Sequence, residues 1–118
     1  GLREHFFMGL FVMFVFISGA ISDNPNYEEQ FAKREQELKE LGHFPYNPVK
    51  IGERLKKRLG REPTYDEYLQ EDLLYLDRSD AINHLEGWEN SNGANIEHKR
   101  AVEKNKIILE IKMLPRRW

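Results

Sequence analysis

The sequence predicts an all-α protein, with one N-terminal transmembrane helix followed by an extended helical tail that depends on partners for its order. Three observations predict it. The run from Phe6 to Ile21 holds no charged residue. The remainder is so rich in charge that the 118-residue chain has a mean hydropathy of −0.71. The helical patterns of that remainder carry narrow apolar stripes, thinner than those of a helix in a compact domain.

Residues 1–22 form the expected span. Sixteen apolar or small residues at 1.5 Å rise reach roughly 24 Å, marginally short for a hydrocarbon core about 30 Å thick. Leu2 and Ser22 can extend the run, and Arg3 can snorkel to the interface. The run is apolar all round, so it does not read as a surface-lying amphipathic helix. A signal peptide ending at Ser18-Gly19-Ala20 and a buried core helix are the competing readings. A start at Gly1 fits removal of a targeting sequence. Lys and Arg near the span leave its orientation open.

Residues 23–118 read as a helical tail with helices over about 26–41, 48–59, 65–86 and 94–113. The first follows the breaker cluster Ser22-Asp-Asn-Pro-Asn26, with Asn24 as cap and Pro25 in the first turn. Its stripe includes Tyr27 and Phe31, and Glu29–Lys33 and Glu35–Lys39 are i,i+4 pairs. Gly42 ends it. Prolines 45 and 48 make an extended linker around Tyr46. Asn47-Pro48 opens the second helix, with Ile51, Leu55 and Leu59 every four residues and Gly60 as its stop. Lys56, Lys57 and Arg58, with Arg54 and Arg61, form the densest basic cluster, suited to a solvated face, anionic lipid headgroups or an acidic partner. Thr64-Tyr-Asp-Glu67 fits a capping box for the third helix, whose apolar face includes Leu69 and Leu73. Its stripe loses register at Asp77–Asp80, which predicts a bend or a new short helix. Trp88 is an aromatic anchor beside a polar loop at 89–93. Residues 106–113 fit helix or strand, and helix is favoured because no second strand is apparent.

Thin stripes suggest that these helices bury their apolar sides against other chains. Tyr27, Phe31, Tyr46, Ile51, Leu55, Lys56, Lys57, Arg58, Leu69, Leu73 and Trp88 are therefore the expected partner or lipid contacts. The chain has 18 Lys and Arg against 20 Asp and Glu, without the basic excess of a nucleic-acid binder. It has no cysteine, which removes disulfides, thiolate metal sites and a Cys nucleophile. His84 and His98 are separated by a loop and can meet, but two surface histidines are the plainer reading. Adjacent carboxylates such as Glu71-Asp72 point in different directions on a helix. No phosphate loop, nucleophile elbow or zinc motif is present. The expectation is a chain with no catalytic residues, cofactor or metal of its own.

Tyr46-Asn-Pro-Val49, a short basic helix with Arg54, then Pro63 followed by Tyr65, Glu67 and Tyr68, resembles the SGDH-type accessory subunit of respiratory complex I. The likeness covers roughly Phe44 to Leu76. Asn47 stands where that family has His, and the helix over 26–41 has no clear counterpart. The resemblance implies a supernumerary, single-pass subunit of the mitochondrial inner membrane. It would serve the respiratory chain as a structural part of an electron-transport complex, with its tail in the intermembrane space. Its partners would be the lipid bilayer and other subunits of a large membrane complex. A membrane-anchored assembly factor with a self-contained helical domain, or a subunit of cytochrome oxidase or ATP synthase, remains open.

Overall fold

The uncharged run supplies the central strand of a parallel sheet. The computed structural model of the chain describes residues 11–111. Within them β1 (Phe14–Ser18) leads to α1 (Tyr27–Glu40), β2 (Phe44–Tyr46), α2 (Pro48–Leu59), α3 (Tyr65–Arg78), β3 (Ala81–His84), a 3₁₀ turn (Trp88–Asn90), α4 (Asn92–Glu103) and β4 (Ile107–Ile108). The strand order is β2-β1-β3-β4, every pair parallel. Phe14 aligns with Phe44 on one side of β1, and Val15 with Ala81 on the other.

A parallel strand covered on both faces must be apolar on both faces, so it reads as a continuous hydrophobic run. Val15, Phe16, Ile17 and Ser18 are all 0% exposed. Val15 and Ile17 pack with Phe31 and Leu38 of α1. Phe16 points the other way, onto Ile51, Leu73, Leu76 and Ala101 of α2, α3 and α4. The helices therefore form two layers around the sheet. Each stripe is narrow because each helix needs only one seam of contact with it.

These observations correct the all-α reading. The architecture is α/β, and residues 11–22 hold β1 and its flanks where a transmembrane helix was expected. Among the described residues no helix is long and apolar enough to cross a membrane. The single-pass placement in the mitochondrial inner membrane, with its tail in the intermembrane space, loses its basis. Residues 1–10 of the expected span lie outside the described residues. The tail is no extended strap, since α1 to α4 all pack on one sheet. The expected helix over 65–86 ends at Arg78, and β3 follows. The expected helix over 94–113 ends at Glu103, and Ile107–Ile108 joins the sheet beside β3. Its last residues, 112 and 113, lie outside the described part. The strand partner for 107–108 is Ala81–His84, just after the loss of helical register at Asp77–Asp80 and inside the expected helix over 65–86.

Local signals fared better. Asn47 caps α2 by accepting from the Val49 N–H at 2.9 Å, and Gly60 ends it in the left-handed conformation, φ 70°. Thr64 and Glu67 form the reciprocal capping box of α3. α1 starts at Tyr27 behind Asn26, which makes no side-chain cap; Asn24 instead accepts from the Asn26 N–H at 3.3 Å.

Glu35 ties α1 to α2. Its carboxylate accepts from Asn47 Nδ2 at 3.1 Å and Lys50 Nζ at 2.6 Å, and pairs with Lys39 at 2.9 Å. Burial alone would raise its pKa, but the bonds from Lys50, Lys39 and Asn47 outweigh burial and bring it down to about 2. A depressed carboxylate contributes stability above its unfolded pKa, near 4.3, and loses it as pH falls toward the folded value. Glu35→Gln should therefore lower stability at pH 7 by about 1–2 kcal/mol and cost much less at pH 3. Urea denaturation at the two pH values checks this; equal losses at both would contradict the ionic account.

Candidate functional site

In an open parallel sheet, ligands settle beyond the carboxyl ends of the strands, where neighbouring connections leave in opposite directions. Here that point lies between β1, whose chain crosses to β2, and β3, whose chain crosses to β4. The two ends run very close together. A Cβ on Gly19 would stand 2.9 Å from the Leu85 side chain, so only glycine fits directly after β1. A cleft of about 800 Å³ opens at this edge, between the start of α1, α2, α3 and the N-terminal turn of α4. That volume lies within the usual range for small-molecule sites.

Two carboxyl groups define the cleft. Asp72 comes from α3, on the same helical face as Tyr65, Tyr68 and Leu69, which also line it. Glu97 comes from α4, one turn after Ala94, and is only 5% exposed. Ser18, the last residue of β1 and fully buried, donates its hydroxyl to Glu97 Oε1 at 2.7 Å. Asp72 and Glu97 both line the cleft and stand close enough for each to shift the proton affinity of the other. Burial raises the proton affinity of both, and the nearby Glu97 charge raises that of Asp72 further. Glu97 accepts from the Ser18 hydroxyl, which, like the neighbouring Asp72, favours its ionised form. Two like charges so close cannot both ionise cheaply. Both carboxyls are therefore raised above the ordinary carboxylate range, and the pair resists ionising twice.

A second cluster stands behind Glu97. His98 Nδ1 and His84 Nε2 lie 3.1 Å apart, and the Trp88 ring packs against both imidazoles, with centroids at 4.3 and 4.6 Å. Burial, then the neighbouring His98, pushes His84 down to about 4, so this ring is neutral at pH 7. The stack ties α4 to the end of β3 and so fixes the turn that carries Glu97. Among the described residues, no group of three or more His, Asp or Glu is arranged to hold a metal ion.

The sequence-predicted contacts scatter across the molecule. Phe31, Ile51, Leu55 and Leu73 are core residues. Tyr46 sits half-buried in β2, edge-on to Tyr75. Tyr27, Lys56 and Leu69 line the cleft. Trp88 belongs to the histidine stack. Lys57 is exposed, whereas Arg58 pairs with Glu71 at 3.0 Å and Lys56 with Glu62 at 3.1 Å, so the basic cluster is largely neutralised within the chain. His84 and His98, for which two surface histidines were the plainer reading, do meet. Sequence reasoning missed Ser18, Asp72 and Glu97. Asp72 was passed over as half of an adjacent pair; its spacing of seven from Tyr65 on one helix was the available signal.

Fold and cleft thus define a class: an open parallel α/β protein with a carboxyl pair at its topological switch point. The model of the family described as a domain of unknown function, DUF4406, matches residues 13–110. The chain belongs to that family. No curated protein matches it.

A raised carboxyl pKa favours the folded state at low pH, and that advantage is lost as pH rises from the unfolded value near 4 through the folded one. Glu97→Gln keeps the shape and the acceptor for Ser18, and removes the buried charge. It should be more stable than the parent at pH 8, by about 1–2 kcal/mol, with the gap closing toward pH 4. Denaturant midpoints across that range test this; a variant less stable than the parent at pH 8 would contradict the buried charge.

Proposed function

We propose that this protein is an enzyme that cleaves or transfers a glycosidic or similar acetal-type bond of a small molecule, using Glu97 and Asp72. The observation that carries the reading is two carboxyls of raised proton affinity, one of them held by Ser18, facing a cleft sized for one or two rings. Breaking an acetal needs an anion to support the electron-deficient carbon and an acid to protonate the leaving atom. Glu97, held by Ser18, supplies the carboxylate; Asp72 supplies the proton.

The steps balance within this pair. Glu97 attacks the acetal carbon as the bond to the leaving group breaks, and the leaving atom takes the Asp72 proton. Water, or another acceptor hydroxyl, then attacks the glycosyl ester. Asp72, now ionised, takes its proton, and Glu97 departs as carboxylate. Retaining catalysis places such carboxyls about 5–5.5 Å apart. Substrate inserts between the two carboxyls. Asp72, half-buried, is the member free to give way, since Ser18 anchors Glu97. Tyr27, Tyr65 and Tyr68 offer ring faces and hydroxyls along the walls.

A structural role within a respiratory complex is the other reading. Its main support was the membrane span. What remains for it is the local likeness from Phe44 to Leu76, whose turn and helix start are here the connection from β2 through α2 to α3.

Assay of the protein against glycosides and nucleosides, with release of sugar or base as readout, tests the proposal. Glu97→Gln should reduce turnover by about 10³-fold or more, because the nucleophile is gone. Asp72→Asn should reduce it by about 10²–10⁴-fold, least for substrates whose leaving groups need no proton. Turnover that survives in Glu97→Gln would overturn the assignment.

A further inference from the structure

The walls around the dyad are strongly one-sided in charge. Four carboxylates, Asp23, Glu28, Glu53 and Glu62, line the cleft beyond the pair, against one ammonium, Lys56. Lys56 is already engaged by Glu62 at 3.1 Å. Asp23, Glu28 and Glu53 have no ion-pair partner among the described residues. The counterweight is the N-terminal turn of α4, worth roughly half a positive charge within one turn. Ser91 already serves that turn, its hydroxyl accepting from the Ala94 N–H at 3.2 Å. The Tyr27 phenol registers the same field: its pKa is raised by Glu28 first, then by burial, Glu53 and Glu62.

Resting on the reading above, we propose that this cleft selects its substrate by charge, admitting neutral or cationic small molecules and rejecting phosphate esters and other anions. A phosphate monoester would bring nearly two negative charges into a low-dielectric groove walled by carboxylates. Such a groove focuses the potential of its walls. At separations within about one Debye length, roughly 8–10 Å, that repulsion is not screened away. In the chemistry proposed, unphosphorylated glycosides and nucleosides are the substrate class, and their phosphates are not.

Two measurements on the full chain test this. The first reads the field without any ligand. Relaxation enhancement of the Gly19 and Gly93 amides should be several-fold greater with a cationic aminomethyl nitroxide than with a carboxylate nitroxide of the same size. The Glu28→Gln/Glu53→Gln double variant, whose changes lie on the rim away from the dyad, should shrink that ratio. Equal or reversed enhancement overturns the proposal. The second compares matched pairs by calorimetry: adenosine with adenosine 5′-monophosphate, and methyl riboside with ribose 5-phosphate. Each phosphate should bind about tenfold more weakly or worse at low salt, with the gap narrowing at high salt and in the double variant. A phosphate that binds as tightly as its parent overturns charge selection. Cation preference at the cleft, with no turnover of any glycoside or nucleoside, would instead remove the glycosidic reading and leave charge selection supported.

Discussion

The burial of Val15–Ser18 of β1, between β2 and β3, is the constraint on which the rest of this structure depends. Val15 and Ile17 enter one helical layer and Phe16 the other, so one short run organises both halves of the core. The strand also ends at a useful place. Ser18 emerges where the crossovers diverge, and its hydroxyl is the fixed point from which Glu97 is held. Gly19 then lets the chain pass Leu85 at a distance no side chain would permit. Folding and site geometry are thus two consequences of one buried segment.

That arrangement places a destabilising feature where chemistry can use it. A carboxyl pair with limited solvent access costs stability at neutral pH, because one charge must be kept with little water around it. The cost is softened by the shared proton and by the Ser18 hydroxyl. Elsewhere the fold handles buried polarity differently. Glu35 is surrounded by Asn47, Lys50 and Lys39, which favour its ionised form. Arg34 bonds Asn83 at 2.6 Å and the His84 carbonyl at 3.3 Å, joining α1 to the end of β3. Those groups are compensated by opposite charge or by amide partners. Asp72 and Glu97 have only Ser18 and each other, and that contrast is why we propose the cleft as the place of proton transfer.

The parts legible in sequence were those fixed by neighbours a few residues away. The Asn47 cap with Pro48, the Gly60 stop and the Thr64–Glu67 box depend on local hydrogen bonds, and each formed where its residues stand. The fold class depended on contacts far apart in the chain. An uncharged run has the same appearance as a membrane helix or as a strand covered on both faces, and periodicity does not separate them. Once Phe14–Ser18 is read as helix, Ala81–His84 and Ile107–Ile108 have no strand to join. Every later segment then shifts toward helix, and thin stripes become an argument for missing partners. The site was illegible for the same reason: Ser18 and Glu97 are 79 residues apart and Asp72 stands on a third element. No spacing rule connects them; the sheet does.

Carbon-13 NMR titration of the Asp72 and Glu97 carboxyl carbons tests the shared proton most directly. A single proton held by the pair predicts coupled curves with two separate steps, both carbons responding to each, the upper step well above the ordinary carboxylate range. Ser18→Ala should raise the lower step by removing a bond to the ionised form. Two independent titrations near pH 4 would show that the carboxyls ionise separately, and the paired site would not exist.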